Sequence, residues 1–255
     1  MKDFTVIIPS KSAFNLSRCI NSFKQTHPNS NGRIVVFDND ISGGVNNLCD
    51  RNLVRSIPDY SPFCFSKAIN RCASPEISGT DDLILLNDDT EIITPSGFHL
   101  LHEAANMTDS YGVVSSLIDG FVGNPQQSAK QHRDARSIFT PIGGIAFICV
   151  HIRREVWNAL GPLDERLIHY GWDDTLFCVK TWAAGLRLGV YTGCTVKHVH
   201  NASQYRNSGP PPDLEANQYI FERIIQEEGL VSHWPLQLKF PLEKEQATIA
   251  KESAD

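Results

Sequence analysis

The sequence predicts an α/β fold built on a single, mostly parallel sheet flanked by helices. Three observations carry this. Short apolar, β-branched runs alternate with segments of helical period. The run Leu83 to Leu86 is apolar at every position, as expected of a strand covered on both faces. Acidic and hydroxyl residues follow the strand candidates, where open α/β sheets place their ligands.

Taken in order, residues 4–8 (FTVII) read as a strand ended by Pro9, and 14–23 as a helix with Phe14, Leu16, Cys19, Ile20 and Phe23 on one stripe. Residues 33–37 (RIVVF) repeat the strand signal and lead into Asp38-Asn39-Asp40 and the loop residues Ser42-Gly43-Gly44. After the 83–86 strand, 144–150 (GIAFICV) reads as another buried strand. Residues 153–160 read as a short helix stopped by Gly161-Pro162. A helix is expected over 174–184, and extended segments over 186–191 and 194–200. Residues 201–212 are polar and Pro-rich and are expected to form a mobile loop. Asp213 caps a last helix running to about Glu228, with Leu214, Phe221, Ile224 and Ile225 inward and Gly229 as its stop.

A chain of 255 residues with 41% apolar and 20% charged residues can bury one substantial core. With no repeat or linker, one domain over 1–235 and a tail over 236–255 are expected. The net charge of −6 gives no general attraction to nucleic acid or anionic lipid, which disfavours a nucleic-acid partner. No apolar run approaches the roughly 18 residues of a membrane span, and the start reads as a strand rather than a secretion signal, so a cytoplasmic protein is expected. The seven cysteines show neither a C-x-x-C pair nor disulfide-scaffold density, and read as small buried apolar groups. Asn201-Ala202-Ser203 is a glycosylation sequon that carries no weight without a secretory signal.

Several side-chain groups carry chemistry. Asp88-Asp89, after the buried strand, can hold a hard divalent cation together with phosphate oxygens, although such a pair also fits a capped turn. Asp173-Asp174 precedes a helix, where carboxylates cap backbone donors. One of them could instead act as a general base toward an acceptor hydroxyl. Trp172 beside them can stack on a sugar or pack in the core. His198 and His200, two apart in an extended segment, face the same way and are metal-ligand candidates. Gly143-Gly144 either lets the backbone approach a ligand closely or forms an ordinary turn. There is no P-loop, no G-x-G-x-x-G and no nucleophile elbow.

In this order and spacing the pieces resemble glycosyltransferase family 2, across roughly residues 4–228. TVIIPS and the following helix resemble that family's first strand and helix, and VVFDND its second strand. FSKAIN resembles its Phe-x-x-Ala-x-Asn segment, and LILLNDDTEI its D-x-D strand with Asn87 in the place of the first acid. HIRREVWNALGPLDERL resembles its Arg-Arg helix and Gly-x-x-Asp-Glu turn, and GWDDTLFCVK its acceptor-side acidic motif. The resemblance implies a GT-A fold with a Rossmann-like sheet, and an inverting, hexosyltransferase-type enzyme that uses Mn²⁺ or Mg²⁺. Its donor would be a UDP- or dTDP-sugar, and its acceptor a hydroxyl.

By the same resemblance Asp89 is the metal ligand, joined by His198 or His200, and Asp88 contacts the donor ribose or sugar. Aligned on Cys178 and Lys180, Asp174 is the base and Asp173 takes the family's glutamate position. A slide of one residue makes Asp173 the base. Pro9, Ser10, Asp38, Asn39, Asp40, Asn70, Asn87, Gly144 and Trp172 fall on donor-binding segments, and Arg206 could add positive charge over the diphosphate. Two alternatives stand beside this reading. A sugar-phosphate nucleotidyltransferase usually needs a Gly-rich basic segment after the first strand, and residues 9–18 hold only Lys11 and Arg18 and no glycine. A non-catalytic nucleotide-sugar-binding module is suggested by Asn87.

Overall fold

The structure, a computed structural model, describes residues 3–28, 32–120, 124–131, 136–199 and 213–234. His200, Arg206, the 201–212 segment and the 236–255 tail lie outside the described residues.

Fully apolar strands need cover on both faces, and the sheet has it. β1 (Phe4–Ser10), β2 (Arg33–Asp38), β3 (Arg55–Pro58) and β4 (Asp82–Leu86) run parallel in the order β3-β2-β1-β4. The crossovers are α1 (Ala13–Thr26), α2 (Gly44–Asn52), α3 (Phe65–Ala73) and the short α4 (Pro75–Ser78). Leu83 and Leu85 face one core, whereas Ile84 and Leu86 face the other, so a continuous apolar run serves two layers. β5 (Thr90–Ile92) follows the acidic turn after β4, and α5 (Gly97–Ala105) then covers the face that Ile84 shares with Val114.

Beyond β4 the sheet continues through β8 (Cys149–Ile152), β6 (Tyr111–Gly120), β9 (Arg187–His198) and β5, with β7 (Ile138–Phe139) also on β9. β8 is antiparallel to both its neighbours, while β6 and β9 are parallel. The two extended segments read between 186 and 200 are one strand, shifted in register near Ser116 and Leu117 of β6. The strand expected over 144–150 begins only at Cys149. Residues 144–148 are buried loop, whose amides are satisfied from outside any ladder: Ala146 N–H donates to the Gln127 Oε1 at 2.8 Å, and Ile145 N–H to Cys178 Sγ at 3.3 Å. An apolar run reports burial, and here burial came without a strand.

Helices α6 (Arg154–Leu160) and α7 (Asp173–Ala183) follow β8, and α8 (Leu214–Glu227) closes a third apolar cluster with Phe221, Ile224 and Ile225 against Leu176 and Val179. All seven cysteines are free, and six of them are buried. Among the described residues no helix is long and apolar enough to cross a membrane.

Candidate active site

Parallel topology brings the carboxyl ends of β1, β2 and β4 to one edge. There Ser10 Oγ donates to Asp88 Oδ2 at 2.7 Å, tying the end of β1 to the acidic turn after β4. Burial pushes the Asp88 carboxyl up to about 6; the Ser10 hydrogen bond opposes this and the charge of Asp89 adds to it. A cleft at this point is lined by Asn15, Arg18, Asp88, Asp89, Thr90, Glu91 and Val199, and Arg18 pairs with Glu91 on its rim. A separate surface cavity, lined by Phe23, Lys24, His27, Arg33 and Arg55 among others, opens at the amino-terminal end of β2, away from these acids.

The end of β9 supplies the second part of the site. β5 pairs antiparallel with β9, setting Thr90 opposite His198, and Val199 N–H donates to the Asp89 carbonyl at 2.8 Å. His198 Nε2 consequently lies 3.2 Å from Asp89 Oδ1, with both side chains largely buried. Gly120, which sequence reasoning missed, makes the approach possible. It has φ +126° and sits opposite His198, and a Cβ there would collide with the His198 carbonyl.

The third part is the start of α7. The backbone reaches it through left-handed conformations at His169 (φ +49°), Gly171 (φ +110°) and Trp172 (φ +71°), which is strained for the two that are not glycine. Asn217 of α8 over-determines this turn. Its Nδ2 donates to the Ile168 carbonyl at 2.6 Å and also reaches those of Tyr170 and Gly171, while its Oδ1 accepts from Ile168 N–H at 2.8 Å. An asparagine on the inward stripe of an amphipathic helix is the signal that could have found it. The turn delivers Asp173 inward, where Ser66 Oγ and Gly171 N–H donate to its carboxylate. Asp174 accepts from Thr175 N–H at 2.7 Å. Burial raises both carboxyls, that of Asp173 to about 7.

The buried loop before β8 links the segments that carry the two acidic pairs. Asn87 N–H donates to the Ile148 carbonyl at 2.9 Å, and Ile145 N–H of the same loop donates to Cys178 Sγ of α7 at 3.3 Å. The acidic turn after β4 and helix α7 are therefore both tied to this one loop.

Other residues read as donor contacts turn out to be engaged in the scaffold. Asn39 Nδ2 donates to the carbonyls of Asp59 and Ser61, and Asp40 accepts from Ser42 N–H, Ser42 Oγ and Val45 N–H at the start of α2. The Ser42 bonds hold the Asp40 carboxyl below its usual range. Asn70 pins the 163–165 turn, donating to the Leu163 carbonyl at 2.8 Å and accepting from Leu163 N–H. The indole of Trp172 packs on Phe221 at 4.9 Å and donates to the Leu214 carbonyl. Of the glycine pair, Gly143 holds the positive φ (+86°), while a Cβ at Gly144 would meet Cys178 at ordinary contact distance. Pro9 lies in β1 opposite Phe37. Asp38 is buried at the end of β2; its Oδ1 accepts from Asp40 N–H, and its Oδ2 has no hydrogen-bond partner among the described residues.

A carboxyl raised by burial makes the fold prefer its protonated form. The contribution is full below the unfolded value of about 4 and is lost as pH rises through about 7. Asp173→Asn, whose amide can still accept from Ser66, is therefore expected to gain stability relative to the parent as pH goes from 5 to 8, by on the order of 2–4 kcal/mol. Urea unfolding at a series of pH values measures this, and a difference independent of pH would contradict it.

This fold, a mixed sheet covered by helices on both faces, is the GT-A fold. Solved structures of that class match it. GalNAc-T7, with UDP, GalNAc and Mn²⁺, superposes with a TM-score of 0.65 at 17% identity over 78% of this chain and 44% of that one. Glucosyl-3-phosphoglycerate synthase from Mycobacterium tuberculosis, with Mn²⁺, UDP and glucosyl-3-phosphoglycerate, gives 0.55 at 14% identity over 81% and 75%. In sequence, the O-antigen biosynthesis protein RfbC of Myxococcus xanthus is 29% identical over 188 residues, 64% of this chain. The chain spans only 14% of that protein's length. No family model matches the sequence.

Proposed function

We propose that the chain is a metal-dependent, inverting glycosyltransferase of the family 2 type, transferring a sugar from a nucleotide diphosphate donor, UDP-linked in the first instance, to an acceptor hydroxyl. The observation that carries this is the convergence of Asp88, Asp89 and His198 at the ends of β4 and β9, with α7, which begins at Asp173-Asp174, tied to the loop that Asn87 bonds. The Mn²⁺ and UDP of the two structural relatives and the O-antigen role of the sequence relative support it.

The donor set suits such an ion. Asp89 Oδ1 and His198 Nε2 stand 3.2 Å apart beside a second carboxylate, and oxygen with imidazole nitrogen is a set that Mn²⁺ accepts. Asp89 and His198 would hold the metal, and when bound it would neutralise the diphosphate and the charge that grows on the leaving phosphate. Asp38, with its unpartnered Oδ2, would accept from the nucleobase, and Asp88, oriented by Ser10, from the ribose or sugar hydroxyls. At the opposite side Asp174 would accept the proton of the acceptor hydroxyl as that oxygen attacks the anomeric carbon. The bond to the phosphate oxygen then breaks from the far face, which inverts the centre. Asp173, held by Ser66 and Gly171, positions the turn that carries the base.

A thermal-shift panel of nucleotide sugars with and without Mn²⁺ tests the reading. The expected result is an increase in Tm for one nucleotide class that requires the metal, since a ligand at 100 times its Kd stabilises by about 2.7 kcal/mol. No shift with any donor, or release of pyrophosphate from a nucleoside triphosphate, would set it aside.

A further inference from the structure

At the end of β4 opposite the acidic turn, its first residue, Asp82, meets two histidines. β4 and β8 pair Ile84 with His151, and Asp82, two residues from Ile84, points to the same face. α5 covers that face and contributes His102, with Asn106 four residues on at its end. His102 Nδ1 and His151 Nε2 are 3.0 Å apart, and Asp82 Oδ2 lies 3.5 Å from each. All three side chains are at most 6% exposed.

Hydrogen bonds join part of this cluster, His102 Nδ1 to His151 Nε2 and Asn106 Nδ2 to His102 Nδ1 at 3.3 Å, but they do not join the carboxylate to the imidazoles. Distances of 3.5 Å exceed those of good hydrogen bonds, and the carboxylate draws its short ones elsewhere: from Arg154 N–H at 2.9 Å and from Asn106 Nδ2 at 3.0 Å. A cation, in contrast, fits. The point equidistant from the three atoms is about 1.9 Å from each, so an ion slightly out of their plane reaches all of them at the roughly 2.0–2.2 Å typical of zinc with imidazole and carboxylate.

The geometry points to a second cation site, formed by Asp82, His102 and His151, for a first-row divalent ion such as Zn²⁺. Two nitrogens and one oxygen suit that class better than Mg²⁺. The ion would staple β4, β8 and α5 together beneath the strand that ends in Asp88-Asp89. Asn106 orients the carboxylate. His151 Nδ1, which would carry the proton, has no hydrogen-bond partner among the described residues. Such supporting bonds typically add 10–100-fold in affinity, so this site binds its ion more weakly than a fully supported zinc centre.

The experiment removes the donor-side ligands first. A chain carrying Asp89→Asn and His198→Gln, produced in Co²⁺-supplemented medium and dialysed, is expected to retain about one Co²⁺ per chain, with visible ligand-field absorption and two slowly exchanging imidazole N–H resonances displaced by the paramagnetic ion. Adding His102→Gln is expected to remove the ion and both resonances. Loss of the ion from the first variant, or a spectrum that His102→Gln leaves unchanged, overturns the assignment. Should the His102→Gln chain fail to fold, the first variant decides alone: two displaced imidazole signals support the site, and one or none rejects it.

Discussion

Replacing Asp89 by alanine is expected to lower sugar transfer by roughly 100-fold or more and to remove the metal dependence of nucleotide binding. Asp89 Oδ1 is the carboxylate oxygen beside His198 Nε2, and its loss leaves one imidazole and the hydrogen-bonded Asp88 to hold a dication. The fold should tolerate the change. The bond that ties β9 to the turn uses the Asp89 carbonyl and survives, and two charges that repel across the Asp88-Asp89 pair become one. Calorimetric titration of UDP with and without Mn²⁺, beside a transfer assay, measures both effects. Binding that keeps its metal dependence would move the metal site away from Asp89.

Asp174→Asn is expected to lower kcat by about 10²–10⁴-fold, the usual worth of a general base, with donor affinity little changed. The amide is isosteric and its oxygen can still accept from Thr175 N–H, so the start of α7 stays in place. The base works ionised and burial raises its carboxyl, so the parent's rate should fall on the acid side of that raised value. In Asp174→Asn this acid limb should disappear from the residual rate. Asp173→Asn should retain most of the activity, because Asp173 is buried and its carboxylate is already held by Ser66 Oγ and Gly171 N–H. The reverse pattern, with Asp173→Asn inactive and Asp174→Asn active, would assign the base to Asp173.

Much of the site was legible because covalent order already carries it. A carboxylate that follows a buried strand must emerge at that strand's carboxyl end, so Ser10, Asp38 and Asp88-Asp89 share an edge as soon as their strands are parallel. At Asn39, Asp40 and Asn70 the side chains bond the backbone, and polar residues at strand ends and turns cap backbone groups as readily as they bind ligands, so the sequence is the same in either case. Asn217 and Gly120 were invisible for a related reason. One is needed only because α8 returns to the strained turn before Asp173, and the other only because β6 lies against His198.

The sequence by itself determined the α/β class, the order of its elements and the residues standing at the carboxyl ends of its parallel strands, because periodicity and strand polarity are local properties. Tertiary structure decided the partnerships: Asp89 with His198, Asp173 with Ser66, Cys178 of α7 with Ile145, and Asp82 with His102 and His151. Each joins residues far apart in the chain, one of them across the antiparallel strand β8 that no local pattern orients. Which side chains meet is fixed by how strands order and helices dock, and only packing over the whole sheet sets that.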